Sequence, residues 1–281
     1  MIGYEQIQFA GVPWRKLHGA IVPLLPPHLN PLLTDDAARE FLEDTKAHLI
    51  RWEDGFESAE PTEWWHLVKD GDASIEGLPK KVRYLVRQGR ERFRVARCKR
   101  SDILERGYDV YLRAYERYET FERRFTLPEF RRAVESMPEY IEFWLAETPG
   151  DGRMVAFAEN VVAGDACFYS SMWFCPDALK GSLSYALIQA MNEHYLGARG
   201  FRYVSDGARN LSHRTNIHQF LQTKFGFRRA YCRLNVVYSR PVGALVALAY
   251  PFGSVLKHVP GAAKLRALLE QERIRRTFVQ P

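Results

Sequence analysis

Cysteine is sparse and unpaired in this sequence. Its four cysteines, Cys98, Cys167, Cys175 and Cys232, stand far apart, and no Cys-x-x-Cys occurs. That spacing argues against zinc, and a reducing compartment is the expectation. No run of about 18 apolar residues exists, so no segment reads as a membrane span. The opening stretch MIGYEQIQFAGVPW lacks a basic region followed by an apolar one, so none of it reads as a signal peptide. A Gly-x-Ser-x-Gly elbow, a Walker loop and a His-Glu-x-x-His helix are also missing. Internal repeats and low-complexity tracts are absent as well.

Acidic residues are scarce where basic ones crowd together. Between 79 and 100 stand Lys80, Lys81, Arg83, Arg87, Arg90, Arg92, Arg94, Arg97, Lys99 and Arg100, against the single acid Glu91. The whole chain carries only +6, so its basicity is local. A local patch of this kind points to an anionic partner. The rest of the composition, 46% hydrophobic and 26% charged over 281 residues, is that of a globular chain with a sizeable core.

Residues 5–23 alternate like a β-hairpin around Gly11-Val12-Pro13. Thr34-Asp35-Asp36 is a helix N-cap, with the helix running to about Leu49. Strand-like stretches follow at Leu49–Phe56 and Trp64–Lys69, then a basic helix from Pro79 to about Arg92. After the strand Phe93–Cys98, Ser101-Asp102 caps a helix to about Phe121, and Leu127–Met137 is a short helix. Ile141–Glu147, Met154–Val161 and Ala166–Phe174 read as strands joined by Gly-containing turns. Next come a helix over Ser182–Leu196, a strand at Phe201–Ser205, a polar corner at Asp206–Asn210, a helix near His213–Phe225 and a strand at Arg229–Tyr238. A strand, a helix and a strand at this spacing imply a crossover, with Ala166–Phe174 and Phe201–Ser205 parallel.

Four groups of residues could carry chemistry. Lys80, Arg83 and Arg87, with Arg90, recur every three or four residues and share one helix face, suited to phosphate unless it is simply a solvated face. Tyr108, Tyr111, Tyr115 and Tyr118 form a stripe that walls either a polar pocket or a half-buried core. At the corner, Asp206, Arg209, Asn210 and His213 lie past a strand's carboxyl end, where open α/β sheets place ligands. Asp206 or His213 could take a proton from an attacking amine and Arg209 could hold an anionic substrate group, with turn formation and helix capping as the plainer role. His194 and His218 fall in helical patterns and read as packing or surface residues. The turn Cys175–Ser182 precedes the crossover helix and contains one glycine, Gly181, and one acid, Asp177.

In order, Trp64-Trp65, Leu78-Pro79-Lys80-Lys81-Val82-Arg83, Gly107-Tyr108-Asp109-Val110-Tyr111, Asp206-Gly207 and Phe225-Gly226 resemble the GNAT-fold N-acyltransferases, in the variety of the Fem-type peptidoglycan-bridge aminoacyltransferases. The resemblance spans about 64–238. It implies an α/β class with mixed α+β character: a GNAT-like acyl-CoA N-acyltransferase fold with a mixed central sheet flanked by helices. Residues 1–63 would be an N-terminal extension, 64–238 the acyltransferase domain and 239–281 a helical tail. The implied reaction moves an acyl or aminoacyl group to an amine without metal. Ser170, Ser171, Gly181 and Ser182 would bind the donor, either acyl-coenzyme A or aminoacyl-tRNA. Coenzyme A users of the fold carry a Gln/Arg-x-x-Gly-x-Gly/Ala loop at the position of Cys175–Ser182. Lys80, Arg83, Arg87, Tyr108, Tyr111, Arg209 and Asn210 would meet an anionic substrate, with Asp206 and His213 as bases. The implied setting is a bacterial cytoplasm. Two rival expectations are a tRNA- or nucleic-acid-binding module without catalysis, and a membrane-surface protein that makes peripheral contact through 240–276, at the inner face of the membrane.

Overall fold

The computed structural model describes residues 5–17, 19–29, 31, 33–117, 123–211, 216–253 and 263–278. The chain forms two compact units that interleave along the sequence. Of the described residues, a central unit comprises Val68–Gly207 and Ile217–Arg228, and a terminal unit those within Tyr4–Leu67, Ala208–Asn216 and Arg229–Pro281.

The terminal unit begins with β1 (Glu5–Phe9), β2 (Val12–Leu17) and β3 (Ala20–Pro23), paired antiparallel in sequence order. The first turn is Ala10-Gly11, both at positive φ, a backbone twist that suits a two-residue hairpin loop. Helix α1 (Asp35–Thr45) is capped by Thr34, whose side chain accepts from the Ala37 amide. It stops at Lys46, which is left-handed, rather than running to Leu49 as its pattern suggests. The chain then enters β4 (Leu49–Asp54), parallel to β3. Trp14, Ile21, Phe41, Leu42, Ile50 and Trp52 form the core beneath these strands.

Strand β5 (Trp64–Lys69) carries the chain into the central unit. There α2 (Lys80–Arg92) is preceded by Pro79, which ends the extended segment as N-cap rather than opening the helix. After β6 (Arg94–Cys98), α3 (Arg100–Tyr115) starts two residues earlier than the Ser101-Asp102 signal predicts. Asp102 caps from inside the helix, accepting from the Lys99 amide. Helix α4 (Leu127–Glu135) uses a Thr126/Glu129 capping box. Strands β7 (Ile141–Glu147), β8 (Met154–Ala163) and β9 (Ala166–Phe174) form an antiparallel meander, with β6 on the outer side of β7.

Helix α5 (Leu183–Asn192) ends earlier than Leu196, because Glu193–Ala198 winds as a π turn. That turn seats Tyr195 in the core, where its hydroxyl accepts from Trp144 Nε1 at 3.0 Å and donates to Glu142 at 3.0 Å. Strand β10 (Tyr203–Ala208) pairs parallel with β9, as the crossover spacing implies. It runs three residues beyond Ser205, so Asp206 and Gly207 belong to the strand and not to a corner after it. Helix α6 (Ile217–Phe225) follows. Helices α3 and α4 pack on one face through Tyr111, Phe130, Phe157 and Trp173, while α5 packs on the other beside α2.

Strand β11 (Arg228–Tyr238) returns to the terminal unit and pairs antiparallel with β4. Helices α7 (Arg240–Ala249) and α8 (Ala263–Thr277) complete it, over a core that includes Trp64, Cys232, Leu234 and Ile274. Both units are mixed α/β structures. Among the described residues no helix is long and apolar enough to cross a membrane.

Candidate functional site

The central unit gathers its reactive groups where β9 and β10 part. Their parallel register covers only Tyr203↔Ala166, Val204↔Cys167 and Ser205↔Phe168, yet β9 continues to Phe174 and β10 to Ala208. Beyond Phe168 the β10-facing edge of β9 has no ladder partner in this register. A register shift at Glu159/Asn160 adds a bulge here: Asn160 faces Tyr169 and Glu159 faces Ser171, leaving Ser170 as the extra residue. The Ser170 hydroxyl is buried without a hydrogen-bond partner among the described residues. An orphaned buried hydroxyl is costly and marks a place where a ligand can supply the missing partner. Glu159, opposite Ser171, is fully buried.

Asp206 continues β10 at this opening. Its carboxylate is nearly buried and lies 3.2 Å from His218 Nε2 on α6. Burial raises the Asp206 pKa above the ordinary aspartate value, and the hydrogen bond and charge of His218 partly offset that rise. Gly207 follows at φ +89°, and a Cβ there would lie 2.9 Å from the Phe168 ring, so only glycine lets β10 pass this close to β9. His218, which reads from sequence as a packing or surface residue, is placed by this contact as the partner of Asp206. His213 lies outside the described residues. Arg209 belongs to the terminal unit, where its guanidinium donates to the Glu63 carbonyl at 2.8 Å and pairs with Glu270 at 3.1 Å. Asn210 is half-buried in that unit.

The turn before α5 is shaped by packing. Ser182 is left-handed at φ +66° and buried, and its hydroxyl donates to Gln88 Oε1 at 2.9 Å. Gly89 lets α2 approach here, since a Cβ on it would lie 2.6 Å from the Ser182 carbonyl oxygen. A Cβ on Gly181 would strike the Phe93 ring at 2.8 Å. Asp177 faces Arg113 at 3.6 Å and Arg153 at 3.4 Å. Ala114, Arg117, Phe174, Pro176 and Leu179 line an apolar depression at the end of β9.

On α2, Lys80 and Arg87 are exposed and make no ion pair among the described residues. Arg83 donates to the Glu76 carbonyl at 3.0 Å, and Arg90 pairs with Glu193. Of the tyrosine stripe, Tyr118 lies outside the described residues. The Tyr108 hydroxyl donates to the Phe125 carbonyl at 3.1 Å, and the Tyr111 hydroxyl accepts from the Phe125 amide at 2.9 Å. Tyr111 is buried, with its ring edge-on to Trp173 of β9. Among the described residues no group of three or more His, Cys, Asp or Glu is placed to hold a metal ion.

Comparison with known proteins agrees with this layout. The structure is similar to FemX (TM-score 0.54, 9% identity, covering 86% of this chain and 90% of that one). It is also similar to the C-terminal domain (DUF2156) of a putative lysylphosphatidylglycerol synthetase from Agrobacterium fabrum (TM-score 0.51, 14% identity, covering 88% and 87%). At these identities the likeness is one of fold. No curated protein matches the sequence. The family model described as "Acetyltransferase (GNAT) domain" matches residues 76–248, more than half of the chain, and the chain belongs to that family of acyltransferase-type domains.

Proposed function

We propose that this protein transfers an acyl or aminoacyl group from an activated donor to an amine. One observation carries the reading: β9 and β10 separate after Phe168 and Ser205, at a bulge that leaves the Ser170 hydroxyl buried and unsatisfied. A donor carbonyl lying along the open edge of β9 would meet its backbone amides and the Ser170 hydroxyl, groups that stabilise oxygen as negative charge develops on it. The amine nitrogen bonds to the carbonyl carbon, the bond to the leaving group breaks, and the amine's proton passes to the Asp206–His218 pair. Ser171 and the ring of Tyr111 flank the same stretch of β9, and holding donor and acceptor together accounts for much of the acceleration.

The turn 175–182 does not fit a glycine-rich cradle for coenzyme A pyrophosphate. The bare face of its one glycine, Gly181, is covered by Phe93, and Ser182 is engaged with Gln88. The unpaired cations Lys80 and Arg87, with Arg83 between them, support an anionic donor or acceptor held beside α2. Aminoacyl-tRNA is therefore the donor to try first, and the same cations favour the second reading, a tRNA-binding module without catalysis.

The test measures consumption of acetyl-coenzyme A and of aminoacylated tRNA, each with and without a mixed amine acceptor. Amine-dependent consumption that falls on the order of 10²-fold in Asp206→Asn or His218→Ala supports the transferase. Binding of tRNA without turnover supports the second reading. Neither binding nor turnover with either donor overturns both.

A further inference from the structure

Helix α7 presents an apolar face that is exposed among the described residues. Leu245 is 50% exposed and Leu248 74%, and Phe252, one turn further along, is 62% exposed. Leu248 and Phe252 are four residues apart and Leu245 precedes Leu248 by three, so the three lie along one side, with Ala244 and Pro251 exposed among them. A row of this size on a short helix carries a real cost in water and marks a contact surface.

The charges around it identify the occupant. From Arg240 to Leu269 the sequence holds no aspartate or glutamate, but it holds Arg240, Lys257, Lys264 and Arg266. Arg240 stands at the head of the exposed face with its side chain 94% exposed, reaching Glu43 only at 3.5 Å, and Lys264 is exposed at the start of α8. The two acids that follow, Glu270 and Glu272, are engaged by Arg209 and Arg273, and by Arg275 and Arg276. Tyr250, at the end of the apolar row, lies under the Arg276 guanidinium at 3.9 Å. Apolar side chains bordered by cations, in a stretch whose nearest exposed acid is Glu43 beside Arg240, match an interface of acyl chains beneath anionic headgroups. A protein partner with an acidic rim or a second copy of the chain would meet the apolar row as well, but a second copy would bring the same cations against these.

We infer that α7 seats the protein on an anionic membrane surface, with Leu245, Leu248 and Phe252 entering the headgroup region and Arg240 and Lys264 contacting lipid phosphates. This does not depend on the transfer reaction proposed above.

The experiment is co-sedimentation of the full chain with phosphatidylcholine vesicles, alone and with about one third phosphatidylglycerol. The wild type is expected to bind the anionic vesicles and to release as salt rises past the range of Debye screening, about 0.1–0.5 M. Leu248→Glu with Phe252→Glu is expected to lower the bound fraction on the order of tenfold or more. Leu248→Ser alone is expected to lower it less. Melting temperatures check that each variant folds; these side chains are exposed, so each should melt near the wild type. Unchanged binding in all variants overturns the inference, as does failure of the wild type to bind anionic vesicles. If the wild type instead dimerises and the glutamates dissociate it without any vesicle binding, a second copy covers the face and the inference is wrong.

Discussion

Glu53 offers a sharp quantitative test of the terminal unit. Its carboxylate is buried on β4, accepts from Trp64 Nε1 at 3.1 Å and lies 3.6 Å from His66 Nε2. Burial alone would raise its pKa, but the His66 imidazole beside it, the charge of Arg51 and the Trp64 hydrogen bond together hold it down to about 2. A carboxyl whose folded pKa is depressed contributes stability above its unfolded pKa, near 4.5, and loses it as pH falls toward the folded value. The fall from 4.5 to about 2 corresponds to roughly 3 kcal/mol at neutral pH. Glu53→Gln keeps the shape and one acceptor but removes the charge facing Arg51, whose guanidinium lies 5.0 Å above the Trp64 ring. Urea unfolding should show the variant less stable by about 2–3 kcal/mol at pH 7, with the difference shrinking between pH 4.5 and 2. Equal stability at pH 7, or a gap that does not close in acid, would refute the argument that the ionised carboxylate holds this cluster together.

Three further outcomes are expected. Gly89→Ala, which in an open helix would stabilise by up to about 1 kcal/mol, should instead destabilise by about 1–3 kcal/mol, because the added Cβ meets the Ser182 carbonyl at 2.6 Å; thermal unfolding gives the sign. Because burial raises the Asp206 pKa, the stability its neutral form contributes is present below pH 3.8 and lost as pH rises through the folded value. The melting temperature of the wild type should therefore gain on that of Asp206→Asn as pH is lowered from 7 to about 4, and a constant difference would contradict the burial. Lys80→Glu with Arg87→Glu should weaken tRNA binding and flatten its salt dependence by about two charges' worth, while the melting temperature holds, since both side chains are exposed; unchanged filter binding between about 50 and 300 mM salt would remove α2 from the interface.

Much of the central unit could be read in the chain. The run from Ala166 to Ser205 alternates strand, helix and strand at lengths that allow one chirality of crossover, and the structure shows the parallel pair. The end of β10 was harder. Asp206-Gly207 looks like a turn by composition, and only the close passage against Phe168 explains why Gly207 continues a strand. Nothing local marks Ser170, because a bulge arises from the mismatch between two strands and neither strand carries it alone. His218 reads as a packing or surface residue because its partner lies twelve residues back on another element. Arg209 shows the same limit: Glu63 and Glu270, its partners, are remote in sequence.

Local propensity and period therefore determined which segments became helices and strands, where the cations of α2 cluster, and that a crossover would place polar groups beyond a strand end. Those are properties of neighbours along the chain, where a few residues suffice to set the balance. The tertiary structure decided which polar groups found partners. It took the Tyr108 and Tyr111 hydroxyls into contacts with Phe125, paired Asp206 with His218, and left the Ser170 hydroxyl unsatisfied. It also returned β11 to β4, joining the two ends of the chain in one unit. Such outcomes depend on burial and on register between distant segments. The energy of a polar group turns on whether a partner stands within hydrogen-bond reach, and the linear order of residues does not contain that distance.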